Sequence, residues 1–240
     1  MTVWFASDLH LDPSTPEIAA RFLRFLAGPV RGARSLCLLG DLFEAWIGDD
    51  DPEPAHRAVI AALERLSASG TLVYVMRGNR DFMLGERFCR EAGAVLLDDP
   101  AILTVSGEPV LVSHGDGLCT DDRAYQRLRA LVREPALRAA FARLPIDARR
   151  RLAAEAREGS RKHLENAAGY ITDVSQAAVE AVFRGAGTGV MIHGHTHRPG
   201  VHRFALDGGE RTRVVLGAWH DAADVVRWDD SGWQLLPCPA

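Results

Sequence analysis

Seven side chains have the types and the order of a metal-binding set: Asp8, His10, Asp41, Asn79, His114, His195 and His197. Imidazole, carboxylate and amide oxygen together suit Mn²⁺, Fe²⁺ or Zn²⁺. The lack of a thiolate argues against a structural zinc site. Seven donors are too many for one ion and fit two ions that share a carboxylate. Two ions roughly 3.5–4 Å apart form a clamp used in phosphoryl hydrolysis; they lower the pKa of a shared water and neutralise phosphoryl charge. His195 and His197 are two apart, so an extended or looped segment brings both to one site. His193, set off by Gly194, reads as a residue that orients a ligand.

Each donor sits just past an apolar, strand-like run. Ser35-Leu36-Cys37-Leu38-Leu39 closes on Gly40, and the Asp41 carboxylate follows. An ionised carboxylate is not buried without partners, so Asp41 is expected in water or between cations. Val3 to Ala6 leads to Asp8 and His10, and Leu72 to Met76 to Asn79 and Arg80. Pro109 to Ser113 leads to His114, and Val190 to Ile192 to His193, His195 and His197. In α/β proteins, ligands bind at the carboxyl ends of the strands. Any one motif is weak, since an Asn in Gly-Asn-Arg-Asp is ordinarily a turn residue. Five in succession at strand ends point to a single site.

The remaining pattern supplies a frame. Helical spacing covers Glu17 to Leu26, Ala55 to Ser69, Met83 to Ala92 and Ser175 to Arg184. Ala94 to Leu97 and Ala101 to Val105 read as strands. Val201 to Leu206, Arg213 to Leu216, Ala223 to Trp228 and Trp233 to Leu236 read as an antiparallel closing sheet. Residues 121–173 are rich in Ala, Arg and Leu and broken at Pro135 and Pro145. They read as a helical cap inserted into a core formed by residues 1–120 and 174–240.

The composition, 47% hydrophobic and 25% charged, is that of an ordinary globular protein. No apolar run approaches the ~18 residues of a spanning helix. Met1 to Phe5 enters a strand without a signal-peptide pattern. Cys37, Cys89, Cys119 and Cys238 lack C-x-x-C spacing and read as reduced thiols, consistent with a cytoplasmic protein. The net charge of −4 hides an asymmetry. From Arg123 to Lys162, eleven Arg and one Lys face four acids, a local +8 that leaves −12 elsewhere. Such a block is either a solvated face or a site for an anionic partner: a phosphate-bearing substrate, anionic lipid or nucleic acid. The nucleic-acid reading lacks interleaved aromatics, with only Tyr125 and Phe141 in the block.

D-x-H, G-D, G-N, H-G and G-H-x-H, in that order, resemble the calcineurin-like metallophosphoesterases. The resemblance implies an α/β fold, a four-layer αββα sandwich, here with an inserted helical cap, and a dinuclear centre at the strand ends. By that pattern Asp8, His10, Asp41 and His197 hold one metal, and Asp41, Asn79, His114 and His195 the other. Longer stretches resemble one family within this group. They are Gly40 to Asp50, Gly78 to Phe82, His114 to Asp116 with Leu118 to Asp122, and His193 to Pro199 with Leu216 to His220. This family is the UDP-2,3-diacylglucosamine diphosphatases of lipid A biosynthesis, and the similarity runs over essentially the whole chain.

That resemblance implies two Mn²⁺ and hydrolysis of UDP-2,3-diacylglucosamine to UMP and 2,3-diacylglucosamine 1-phosphate (lipid X). It also implies a peripheral protein on the cytoplasmic face of the inner membrane, facing an anionic membrane surface. Asp41, Arg80 and His195 carry over as catalytic. Asn79, Arg80, Asp122, Ser160 and His195 carry over as substrate contacts, with Tyr125 and Arg157 as neighbours. Leu164 and Ala167 stand where the family has Asn and Lys; Lys162 or Asn166 could substitute.

Most of the superfamily has a histidine where this chain has Arg80. Arginine does not give up its proton at working pH, but it clamps phosphate oxygens bidentately. A sugar phosphate, with a second pKa of roughly 6, leaves as an anion without a general acid. In the cap, Leu128, Leu131, Val132, Leu137, Phe141, Leu144, Ile146 and Leu152 are expected mainly to pack helices, some of them lining an acyl groove. Arg149, Arg150 and Arg151, with Arg157, Arg161 and Lys162, are expected to meet anionic headgroups. Trp46 is expected to pack. Two other readings stay open: a dinuclear phosphohydrolase with another substrate, and a binding module, although none of the seven donors is missing.

Overall fold

A computed structural model describes residues 2–51, 53–166, 172–220 and 223–239, apart from the side chains of 163–166. Strand β1 (Val3–Ala6) pairs in parallel with β2 (Ser35–Leu39), β2 with β3 (Leu72–Met76), and β3 with β4 (Ala94–Leu97). The hairpin β10 (Asp224–Asp229) and β11 (Gly232–Pro237) joins on the far side of β1, giving the order β11-β10-β1-β2-β3-β4. A second sheet has the order β5-β6-β7-β9-β8. Its strands are β5 (Ala101–Val105), β6 (Glu108–Ser113), β7 (Val190–His193), β8 (Gly200–Leu206) and β9 (Gly209–Val215).

The two sheets face each other. Val3, Phe5, Cys37, Leu39, Met76 and Val226 of the first pack against Val110, Val112, Ile192 and Val214 of the second in one buried cluster. Helices cover the outer faces. The first sheet buries its other face against α1 (Pro16–Ala27), α2 (Pro54–Ala68) and α3 (Glu86–Ala92). The second buries its other face against α7 (Gln176–Ala186) through Leu111, Met191, Val179 and Phe183. This is the expected four-layer αββα sandwich. Sequence explains the helices locally. Ile18, Phe22, Phe25 and Leu26 give α1 a buried stripe at helical spacing. Pro16 and Pro54 open α1 and α2, where a missing N–H costs nothing.

Two expectations are corrected here. The tail does not form one closing sheet. The hairpin of β8 and β9 extends the second sheet and that of β10 and β11 the first, with β9 parallel to β7. Alternating strands announce hairpins but not the edge they join. Helix α3 begins at Glu86 rather than Met83. Its first N–H groups are capped from a distant loop, Gly85 and Phe88 donating to the Asp49 carboxylate at 3.0 Å each.

Helices α4 (Arg123–Arg133), α5 (Pro135–Ala142) and α6 (Ile146–Asn166) lie between the second sheet's β6 and α7. Neither α4 nor α5 buries a residue, and Leu128, Leu131, Leu137, Leu144 and Leu152 are exposed. The expectation that most of the apolar cap positions serve helix packing is therefore reversed for these leucines. The arginine run is also redistributed. Arg149 is 2% exposed; it donates to Asp50 at 2.7 and 2.5 Å and to the Ile47 carbonyl at 2.8 Å. Arg150 donates to Asp51 at 3.0 Å. Arg149 is thus a tether between α6 and the acidic loop, not a headgroup ligand, because burying a guanidinium requires charged and hydrogen-bonding partners. Among the described residues, no helix is long and apolar enough to cross a membrane. Replacing Arg149 with Met should remove these charge-assisted bonds, lowering the unfolding free energy by about 2 kcal/mol. Denaturant titration and faster tryptic cleavage within α4–α6 would register it; unchanged values would contradict the tether.

Candidate metal centre

Parallel pairing brings the strand exits together. Ala6 is level with Leu38 and Leu39 with Met76, so Asp8, Asp41 and Asn79 emerge on one edge. Ser113 is level with His193, so His114 and the His195–His197 loop emerge beside each other. The loops then lock backbone to backbone: Asp8 N donates to Gly40 O at 3.1 Å, His10 N to Asp41 O at 2.9 Å, and Gly194 N to His114 O at 2.9 Å. The approach is close enough to require glycine. A Cβ on Gly40 would sit 2.5 Å from His114 Nδ1, and one on Gly78 would run into Asp41.

The backbone is strained where the donors sit. Asp8, His10, Asp41, His195 and His197 have φ of 55°, 49°, 51°, 68° and 55°. For residues with a Cβ this left-handed conformation costs about 1–3 kcal/mol each, and it persists only where the surroundings impose it. Helices and sheets are not served by such geometry; aiming side chains at one point is.

The side chains form two adjoining groups. In one, His10 Nε2 lies 3.2 Å from His197 Nε2 and 3.7 Å from Asp41 Oδ2, and His197 Nε2 lies 3.4 Å from Asp8 Oδ1. In the other, Asn79 Oδ1 lies 3.0 Å from His114 Nε2 and 2.9 Å from His195 Nδ1, and His114 Nε2 lies 3.7 Å from Asp41 Oδ1. Donor atoms of Asp8, His10 and His197, and likewise of Asp8, Asp41 and His114, all fall within 4.8 Å of one another. Asp8 Oδ1 is buried and has no hydrogen-bond partner. A buried carboxylate oxygen left unpaired among convergent imidazoles is what a divalent cation fits. All seven expected donors are brought together.

Electrostatics point the same way. Burial opposes ionising Asp8, yet the close approach of His197 and the charges of His114, His197 and His10 hold its pKa well below the usual range. Burial opposes protonating His114, but Asp41, Asp116, Asp8 and Asp99 lift its pKa to about 9. His195 is pushed down to about 4 by burial and by His114. The site draws positive charge towards its carboxylates.

A second layer holds the donors. Glu44 accepts from His10 Nδ1 at 2.8 Å, which leaves Nε2 to face the cluster. His114 Nδ1 donates to Leu39 O at 3.0 Å with the same effect. Asp81 accepts from the backbone N–H of Gly78 (2.7 Å), Leu42 (2.8 Å) and Asp41 (3.3 Å), tying two donor loops together. Asp99 accepts from Ser113 Oγ and His114 N. Asp116 accepts from Tyr125 Oη at 2.7 Å, and Arg129 and Arg133 pair with both Asp99 and Asp116. Sequence reasoning missed Glu44, Asp81, Asp99 and Asp116 as organisers. Glu44, Asp81 and Asp116 stood within quoted motifs, but no spacing rule points to their partners. His193, expected to orient a ligand, hydrogen-bonds Gly194 O at 2.9 Å and Arg213 Nη1 at 3.0 Å. Burial and the Arg213 charge push its pKa down to about 3.

The other expected residues surround this centre. Arg80 N donates to Asp41 Oδ1 at 2.8 Å, its Nη1 lies 3.8 Å from Glu44, and its Nε is buried without a partner. The Tyr125 ring stacks on His195 at 5.9 Å. Asp122 caps α4, accepting from Tyr125 N at 2.9 Å. Arg157 and Ser160 are half-buried on α6, and the Arg157 charge helps to lower the pKa of Asp12 and Glu44. Lys162 pairs with Glu158 at 3.1 Å. Ala167 and the side chains of Leu164 and Asn166 lie outside the described residues. Trp46 packs as expected, stacked on Phe43 at 4.6 Å.

A model of the calcineurin-like phosphoesterase family matches residues 1–199. A UDP-2,3-diacylglucosamine hydrolase of Stenotrophomonas maltophilia is 51% identical over 242 residues, covering 98% of each chain. One from Edwardsiella ictaluri is 47% identical, covering 100% of this chain and 93% of the relative. One from Escherichia coli is 46% identical over the full length of both.

The Asp81 clamp gives a direct stability test. Asp81→Ala would leave three buried N–H groups without an acceptor, at about 1–3 kcal/mol each before relaxation. Equilibrium denaturation of the metal-stripped protein should show a loss of at least about 3 kcal/mol; a loss under about 1 kcal/mol would contradict the clamp.

Proposed function

The chain belongs to the calcineurin-like phosphoesterases and, within them, to the UDP-2,3-diacylglucosamine hydrolase family, and from this membership we propose that it cleaves the diphosphate of UDP-2,3-diacylglucosamine to UMP and 2,3-diacylglucosamine 1-phosphate. The observation that carries the reading is the division of Asp41, whose Oδ1 lies 3.7 Å from His114 and whose Oδ2 lies 3.7 Å from His10. One carboxylate facing two donor groups supports a pair of ions, which we take to be Mn²⁺. Asp8, His10, Asp41 and His197 would hold one and Asp41, Asn79, His114 and His195 the other. When bound, such ions supply Lewis acidity that activates water and offsets charge on the phosphoryl group.

The chain's own residues do the rest. Water oxygen joins the phosphorus on the uridine side, and the bond from that phosphorus to the bridging oxygen breaks. The bridging oxygen leaves with the sugar phosphate. Arg80 is anchored through its backbone beside Asp41 and has a buried Nε with no acceptor. That donor suits a diphosphate oxygen, and a fixed guanidinium stabilises the departing anion without giving up a proton. Asn79 and His195 lie beside the phosphates. Tyr125, whose hydroxyl is held by Asp116, supports the His195 ring and offers the substrate its ring edge. Asp122, Arg157 and Ser160 are assigned to the polar head.

Helices α4–α6, within residues 121–173, act as the cap over this site, and residues 167–171 lie outside the described residues. The exposed leucines of α4–α6 suit the acyl chains, because an apolar surface of this kind in a water-soluble fold marks a lipid or partner site. With Arg149 and Arg150 bound to the acidic loop, the exposed Arg127, Arg143 and Arg151 are the cations assigned to an anionic membrane surface. The protein is then peripheral on the cytoplasmic face of the inner membrane.

Product analysis tests the reaction. With Mn²⁺ and detergent, UMP and the lipid 1-phosphate should form from the diacylated substrate and not from UDP-N-acetylglucosamine, and a chelator should abolish turnover. Hydrolysis of a generic phosphodiester in place of the lipid substrate would overturn the assignment. Arg80→Ala should lower kcat/KM about 100-fold or more, the scale of a lost transition-state donor; a change within threefold would remove the clamp. The membrane reading is tested by vesicle sedimentation. Replacing Arg127, Arg143 and Arg151 with Ala should weaken salt-sensitive binding to anionic vesicles by roughly 1 kcal/mol per charge, and unchanged binding would refute it.

A further inference from the structure

Arg213 stands on β9, 8% exposed, on the face of the second sheet turned away from the first. It is a cation where a hydrophobic side chain would serve packing. Among the described residues no carboxylate pairs with it, and its Nε is buried without a partner. The Asp173 charge acts on it from beyond ion-pair distance, and its guanidinium hydrogen-bonds the His193 ring, with Nη1 to Nε2 at 3.0 Å. Burying a guanidinium against a neutral ring is costly, so packing alone does not account for it.

The contact has a consequence for His193. A guanidinium only donates hydrogen bonds, so His193 Nε2 must accept, and the ring proton must lie on Nδ1. That proton is donated to Gly194 O at 2.9 Å. The same carbonyl accepts from Thr196 N at 2.9 Å, while Gly194 N donates to His114 O. Gly194 has no room for a side chain, since a Cβ there would collide with Asp8 and Ser7. The peptide after Gly194 is therefore held from both sides. The next residues are His195 and His197, both in the left-handed conformation, and His195 N donates to Asp8 Oδ2 at 2.9 Å.

We infer that Arg213 and His193 are positioning residues for the metal donors. Arg213 fixes His193 as the Nδ1–H tautomer, and His193 pins the Gly194 carbonyl so that the strained loop presents both His195 and His197. Neither residue touches substrate or metal. The brace rests on the reading that His195 and His197 hold metal ions.

Paired substitutions separate the two nitrogens. Asn at position 193 places an amide N–H near the position of Nδ1 and keeps the bond to Gly194 O. Gln reaches the position of Nε2 and loses that bond. In calorimetric titration of the metal-stripped protein with Mn²⁺, His193→Gln should bind at least about 10-fold more weakly, the usual scale for such outer contacts. His193→Asn should stay within about threefold of the unaltered protein. Arg213→Met should weaken binding, and Arg213→Lys, which still donates to Nε2, should restore most of it. Nitrogen-15 NMR of the unaltered protein should show His193 protonated on Nδ1 alone. Equal Mn²⁺ affinity for the Gln and Asn variants, or a His193 ring protonated on Nε2, would overturn the brace, and both readouts stand if Arg213→Met does not fold. Failure of the unaltered protein to bind Mn²⁺ would instead overturn the metal reading.

Discussion

A parallel sheet with a site at its strand ends must hold carboxylates in a dry place without leaving net negative charge there. Asp8, Asp41, Asp81 and Asp116 are each at most 2% exposed. Desolvating an ionised carboxylate costs several kcal/mol unless charge and hydrogen bonds replace water. The molecule answers in two ways. Asp81 is satisfied by three backbone N–H groups, and Asp99 and Asp116 by Arg129 and Arg133. Asp8 and Asp41 receive only part of what they need: Ser7 Oγ and His195 N on Asp8 Oδ2, and Arg80 N on Asp41 Oδ1. Asp116 Oδ1 is likewise buried without a partner, but it is on Asp8 and Asp41 that the imidazoles converge, and that is where cations fit.

The same constraint organises α4–α6. Their arginines divide into those that neutralise core carboxylates and those that face water. Arg129 and Arg133 fasten α4 beside His114, and Arg149 and Arg150 fasten α6 to the acidic loop at residues 50–51. Tyr125, on the first turn of α4, stacks its ring on His195. Helices α4 and α6 are thereby fastened to the core by ion pairs, while Leu128, Leu131, Leu137, Leu144 and Leu152 stay exposed.

Much of this was legible in the sequence because the donors lie directly at the ends of apolar runs. Strand boundaries at Ser35–Leu39 and Leu72–Met76 were readable to the residue, since Gly40 and Gly78 close runs with no competing pattern. The seven side chains that converge at the strand ends were readable because their types are expensive in a core. What was hidden is what depends on long-range partners. Glu44 acts through a ring 34 residues away and Arg149 through a loop 99 residues away. A run of three arginines looked like one surface, yet helical geometry sends neighbouring residues to different faces, and Arg149 went inward. The tail strands were visible, but their division between two sheets is decided by which edge lies open.

The proposed reaction requires that Asp41 be shared by two ions. The measurement that bears on it most directly is the number of Mn²⁺ bound per chain, counted by calorimetric titration of the metal-stripped protein and of Asp41→Ala. The structure predicts two ions per chain in the unaltered protein and loss of tight binding at both positions in the variant. A single ion per chain, or an Asp41→Ala protein that still binds two, would contradict it.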